Sequence, residues 1–395
     1  MLLAGKILAI PGIQAMNTPF KNITNVCLGL VFGTLISTYA SGQSTNLRSG
    51  HPDLATLYNA FDVTQGGIYD AIANISENPD SQEGRMELKM HLDMMAEMDH
   101  GGHGGMQMNM DMDSYFGDLE TEARIMLGGT LRESHSDDDA REAFTNAEAL
   151  TERAGIVLAR GRSFENAVWD IFANESTSLY QKQNSVNDAI QEYLSSPGNA
   201  VSTSPKSAEL YLDHPYADAF RMGYPKLSGL LYSNQWLQLA SLEAIIIGQV
   251  DPQFAGRVPM TLERYWNKVG SDTGMTMFPA PTEMPSVPAI SPQLYSQAPM
   301  AAVIIDNLNM LESALADVIA YPNLQDRETV IDEIVEQYTS EDMYVAETME
   351  YLLNALRGGI FNQGGPAIGE LSQSERNRTR DAMSMNHAMI MSAPN

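Results

Sequence analysis

Residues 227–247, LSGLLYSNQWLQLASLEAIII, would be apolar on most sides of a helix, and this segment limits the possible folds more than any other stretch. A helix without a polar face must be surrounded, by lipid or by other helices. Its serine, asparagine, glutamine and glutamate residues argue against lipid, so the segment predicts the buried central helix of a bundle.

The helices around it are legible as spacing. Ile304, Leu308, Leu311, Leu315 and Val318 draw one apolar stripe through residues 301–321. A second stripe passes through Ala143, Ala147, Leu150, Ala154 and Val157. Ser136 with Asp139 resembles the capping pattern that precedes such a helix, and Asp137 and Asp138 suit its positive end. Residues 327–356 read as two consecutive helices divided near Thr339 and Ser340. No run of alternating β-branched residues and no clear internal repeat competes with this pattern, so the expected fold class is all-α, a helical bundle.

The N-terminus predicts removal rather than folding. From Met16 the chain has Lys21, an apolar run from Val26 to Ile36, then small residues up to Gly42, the order of a secretory signal peptide. Residues 1–15 fit that order poorly, which makes Met16 the expected start. The run is short of the ~20 residues a membrane span needs. The expectation is therefore an exported protein, periplasmic or extracellular, with residues 1–42 cleaved and no stable membrane insertion. Residues 43–273 then form a helical domain, and residues 274–299, with six prolines, an extended connection along the surface. Residues 300–357 supply C-terminal helices, either in the same core or in one of their own, and residues 358–395 a Gly-, Ser- and Asn-rich tail.

Cleavage would remove Cys27, the only cysteine, and leave 21 basic against 50 acidic residues, a net charge of −29. That charge repels nucleic acid and anionic lipid and attracts cations, and it equally suits solubility in salty water. Without cysteine there are no disulfides and no thiolates. Any soft-metal chemistry then rests on methionine and histidine.

These two residue types are clustered. Residues 86–112 hold nine methionines, Met86, Met90, Met94, Met95, Met98, Met106, Met108, Met110 and Met112, with His91, His100 and His103 among them. Near the C-terminus, Met383, Met385, Met389 and Met391 surround His387. In the first half of the larger cluster, Met86, Met90, Met94 and Met98 recur every four residues, which predicts a helix with His91 beside Met94 and Met95. Methionine as adaptable core filler would account for that half equally well, since Leu88 and Leu92 also need burial. The second half, HGGHGGMQMNMDMD, cannot hold a rigid packing face. If extended, its alternating thioethers project to one side, where a strand would normally carry Val, Ile or aromatic residues. Metal ligands are the expected use of that pattern.

Thioether sulfur is neutral and soft and binds Cu(I) without first losing a proton, while imidazole suits both Cu(I) and Cu(II). The expected ion is thus copper, with Cu(I) favoured and Cu(II) possible. The expected ligands are Met90, His91, Met94, Met98, His100, His103, Met106, Met108, Met110 and Met112, together with Met383, Met385, His387, Met389 and Met391. Asp99, Asp111 and Asp113 add negative charge, but no EF-hand spacing suits a hard ion. The segment MDHGGHGGMQMNMDMD resembles the Met/His-rich segments of bacterial periplasmic copper-resistance proteins. That resemblance implies copper handling, and with it a protein partner in that process. It covers residues 86–113 with an echo at 383–391, and it carries over neither a fold nor an enzymatic activity.

Other signals are weaker. Glu97 and His100 form a lone Glu-x-x-His, whereas a di-metal bundle needs two. His135 reads as part of a solvated acidic cap, His214 as a turn residue, and His51 has no ligand pattern. The sequence has no Gly-x-Ser-x-Gly, His-Glu-x-x-His, phosphate-binding glycine loop or Cys-x-x-Cys-His, so nothing in it singles out an enzymatic reaction. The alternative to copper binding is a cell-envelope helical scaffold or ligand-binding protein whose Met-rich segment is a docking surface or lid.

Overall fold

The computed structural model describes residues 47–98, 114–212, 214–254, 256–269 and 285–359. The expected signal peptide, the stretch 99–113, much of the proline-rich connection and the tail from 360 lie outside them. After a helical turn at 47–50 come α1 (Pro52–Glu77), α2 (Gln82–Met98), α3 (Gly117–Thr130), α4 (Asp137–Glu142), α5 (Glu152–Ala173) and α6 (Leu179–Leu194). They are followed by α7 (Ala208–Leu212), α8 (Ala219–Gly223), α9 (Pro225–Val250), α10 (Arg257–Val269), α11 (Val287–Ile290) and α12 (Pro292–Gln297). The last three are α13 (Pro299–Ala320), α14 (Arg327–Thr339) and α15 (Thr348–Gly359). The fold is all-α: among the described residues there is no strand, only an isolated antiparallel bridge between Lys206 and Val345.

As the sequence predicts, α9 is the central helix, buried almost without interruption from Pro225 to Ile246. Its neighbours are α1, α3, α5, α8, α10, α11 and α12. The helix carrying the Ile304 to Val318 stripe is more enclosed than one stripe implies. All of α13 from Ala301 to Ala320 is buried, including Asp306, Asn307, Asn309, Glu312 and Asp317. It packs on α1, α5, α8 and α14, and one hydrophobic core joins residues from both sides of the proline-rich stretch.

The second predicted stripe is broken. The Ser136–Asp139 capping box forms, but α4 ends at Glu142 and a new helix starts after Thr151, whose hydroxyl accepts from the Ala154 amide. The turn between them fits against two glycines. A Cβ on Gly66 would come within 2.6 Å of the Ala143 carbonyl oxygen, and one on Gly155 within 2.7 Å of that of Phe144. The Ala149 amide donates to Asp70 Oδ1 at 2.9 Å. Ala147, Ala154 and Val157 are buried and Ala143 and Leu150 half-buried, so the spacing marked the inward side in part while the chain turned beneath it.

The described end of the proline-rich stretch is likewise not a surface connection. Val287, Ile290 and Leu294 are fully enclosed on two short helices, with Pro288 and Pro292 in the first turns, where a missing N–H costs nothing. The caps come from elsewhere in the fold. Asp306 on α13 accepts from the Val287 amide at 2.8 Å, from Ser286 Oγ at 3.0 Å and from the Tyr351 hydroxyl at 2.6 Å. Glu243 on α9 accepts from Ser291 Oγ and the Gln293 amide, both at 3.0 Å. Two further starts follow the same plan: Glu120 accepts from the Lys226 and Leu227 amides, and Asp317 from that of Phe220.

Each such carboxylate satisfies backbone N–H groups that no local side chain reaches. Asp306→Ala is therefore expected to cost about 2–4 kcal/mol, since it orphans a buried amide and the Tyr351 hydroxyl together. Hydrogen exchange should show the loss concentrated in residues 285–297. A uniform change across the bundle would contradict the capping role.

Candidate functional site

Helix α2 presents opposite faces to the core and to solvent. Leu88 and Leu92 are 0% and 7% exposed, and Leu88 seats on α8, where a Cβ on Gly223 would come within 2.7 Å of Leu88 Cδ2. Met86 and Met90 are 58% and 59% exposed, so they are not filling the core. Steps of four residues advance about 40° around a helix, so the methionine row winds slowly across the exposed face. Met86, Met90 and Met94 line a surface groove of about 500 Å³ with Lys89, Asp93 and Asn323. Lys89 pairs with Asp93 and lies 5.6 Å from the centre of the Tyr321 ring.

His91 flanks this row, half-buried. Its Nδ1 is 2.5 Å from the Tyr115 hydroxyl, and the two rings meet edge to face with centroids 5.7 Å apart. Tyr115, just before α3, thus lies against α2. It is held firmly: a Cβ on Gly84 would lie 2.3 Å from the Tyr115 carbonyl oxygen, so only glycine permits the close approach. Phe116 stacks on Tyr224 at 4.5 Å, and Tyr224 bonds Ser76 at 2.7 Å. Burial, with the nearby charge of Glu87, raises the Tyr115 pKa and keeps its phenol neutral.

Of the expected ligands, the structure places Met90 and Met94 in the groove on α2 and His91 against Tyr115, and the α2 backbone extends to Met98. His100, His103, Met106, Met108, Met110, Met112, Met383, Met385, His387, Met389 and Met391 lie outside the described residues. Among the described residues no group of three or more His, Asp or Glu side chains is arranged to hold a metal ion. Two other histidines make contacts within the fold. His135 Nε2 donates to the Thr130 carbonyl at 2.9 Å, and His214, expected only as a turn residue, is buried with Nε2 3.4 Å from Asp317 Oδ2.

Sequence reading missed a buried polar centre between α1, α5, α9 and α13. Arg162 Nε donates to Asp62 Oδ1 at 2.7 Å, and Nη1 reaches Glu165 and, at 3.3 Å, Gln238 Oε1. Glu312 Oε2 accepts from Gln235 at 2.8 Å and Gln65 at 3.3 Å. Burial pushes Glu165 up to about 8 and Glu312 to about 7, against the pull of Arg162, and it raises Asp62 as well. Glu312 Oε1 and the amide oxygens of Gln65 and Gln235 have no partner among the described residues, so a proton on Glu312 would supply a missing donor. Every member is at most 3% exposed, which keeps solutes out of this centre. The signal in the sequence was the polar set Gln235, Gln238 and Glu312 inside apolar helices.

No helix among the described residues is long and apolar enough to cross a membrane. Comparison with known proteins finds no matching family model, no matching curated protein and no matching solved structure.

Proposed function

We propose that this is an exported copper-binding protein that stores, buffers or delivers copper through its Met/His clusters, with Cu(I) preferred. The observation that carries the reading is the placement of Met86 and Met90 on the solvent side of α2, with Leu88 and Leu92 taking the packing role. Thioethers left outside the core, in a chain whose single cysteine lies in the expected signal peptide, suit a soft monovalent ion. The contact of Tyr115 with His91 adds to this, because it fixes the imidazole beside the exposed methionines of α2. The twelve Met and His side chains of residues 86–112 would serve roughly two to four ions at three to four ligands each.

Titration of the purified protein with Cu(I) against a competing chelator tests this. Changing Met106, Met108, Met110 and Met112 together to Leu is expected to remove about half or more of the bound Cu(I), with the helical bundle unchanged by circular dichroism. Equal uptake by both proteins would overturn the proposal. The methionine-lined groove beside Asn323 favours a second reading, docking of an apolar partner surface. In that case the Leu substitutions would preserve function, because leucine keeps the apolar contact and loses only the sulfur.

A further inference from the structure

Neutral imidazole carries one N–H and one lone pair, and the partner of one ring nitrogen sets the role of the other. His91 Nδ1 is 2.5 Å from the Tyr115 hydroxyl, and among the described residues Nε2 has no partner. When the phenol oxygen accepts from Nδ1–H, the lone pair sits on Nε2, the form a metal requires. Tyr115 cannot swing away easily, since its carbonyl lies against Gly84 and the next residue, Phe116, is stacked in the core. Met94 follows His91 by three residues, on the neighbouring position of the helix surface.

We propose that Tyr115 is a positioning residue for copper: its hydroxyl, able to accept from Nδ1–H, holds the His91 ring in an orientation that leaves Nε2 to the metal, next to Met94 on the helix surface. This rests on the copper reading above and goes beyond it by assigning a role to a residue that is not itself a ligand. A partner on the far nitrogen fixes ring orientation and raises ligand basicity, and its loss typically costs 10–100-fold in metal affinity. Imidazole contributes more to holding Cu(II), and thioethers more to holding Cu(I). The hydroxyl of Tyr115 therefore tunes the Cu(II) affinity of this site more than its Cu(I) affinity.

The test uses the purified full chain, Tyr115→Phe and His91→Asn, each titrated with Cu(II) and with Cu(I) against chelators, with electron paramagnetic resonance of the Cu(II) forms. Phenylalanine keeps the ring and its edge contact with His91. Tyr115→Phe is expected to lower Cu(II) affinity about tenfold or more, with weakened nitrogen coupling in the spectrum. Its Cu(I) affinity should change by less than about threefold, at an unchanged melting temperature. His91→Asn should give the same spectral loss. Unchanged Cu(II) affinity and nitrogen coupling in Tyr115→Phe would overturn the proposal and leave the copper reading standing. Parallel loss of both ions with a lowered melting temperature would overturn it too, by assigning Tyr115 to the fold alone. An unsubstituted protein that binds neither ion would defeat the copper reading itself, and this proposal with it.

Discussion

Replacing Arg162 with methionine is expected to lower folding stability by about 3–5 kcal/mol near pH 8. Arg162 is the cation bonded to Asp62 and Glu165, and its charge also acts on Glu312; all four side chains are buried. Removing one partner from a buried ionic group is costly because the others remain, desolvated and uncompensated. Replacing the whole set with apolar residues of similar volume would be far milder. The loss should shrink at pH 5, where protonated carboxyls need no counter-charge. Urea unfolding at both pH values measures it, and a deficit that is small and equal at the two would show that the arginine does not hold these acids.

The second large effect is the pH dependence of the unsubstituted protein. Glu165 is raised to about 8 and Glu312 to about 7 by burial, while a glutamate in the unfolded chain titrates near 4.3. Between those values the folded state keeps protons that the unfolded state has released. Stability from these groups is therefore fully present below about pH 4.3 and is lost as pH rises through 7 and 8. Melting temperatures should fall by several degrees between pH 5 and pH 8.5. Repulsion within the acidic surface acts in the same direction, so the comparison with Glu165→Gln isolates the buried term. Glutamine still offers an oxygen to Arg162 and does not ionise, and its profile should be flatter. Parallel profiles for the two proteins would contradict the assignment.

Patterns of spacing were legible wherever burial alone decides the structure. The enclosed helix at 227–247, the two helices in 327–356, the helical half of the methionine cluster and the Ser136 capping box all follow from contacts within a few residues. The helix break after Glu142 was not legible. It depends on Gly66 and Gly155 leaving room for the carbonyls of Ala143 and Phe144, and those glycines come near the turn only in the fold. The buried short helices after Pro285 escaped for a related reason: prolines mark where a regular helix stops, but Asp306 and Glu243 provide their caps from helices distant in sequence.

The candidate site divides along the same line. The sequence by itself determined the all-α class, the central helix and the concentration of methionine and histidine in residues 86–112, because composition and helical period are local properties. Tertiary structure decided which face of α2 is buried, seating Leu88 on Gly223 and leaving Met86 and Met90 outside. It also brought Tyr115 to His91 and gathered Asp62, Glu165 and Glu312 around one arginine. Hydrogen bonds and charges act over a few ångströms in space, and only the packed bundle makes residues from remote parts of the chain neighbours at that range.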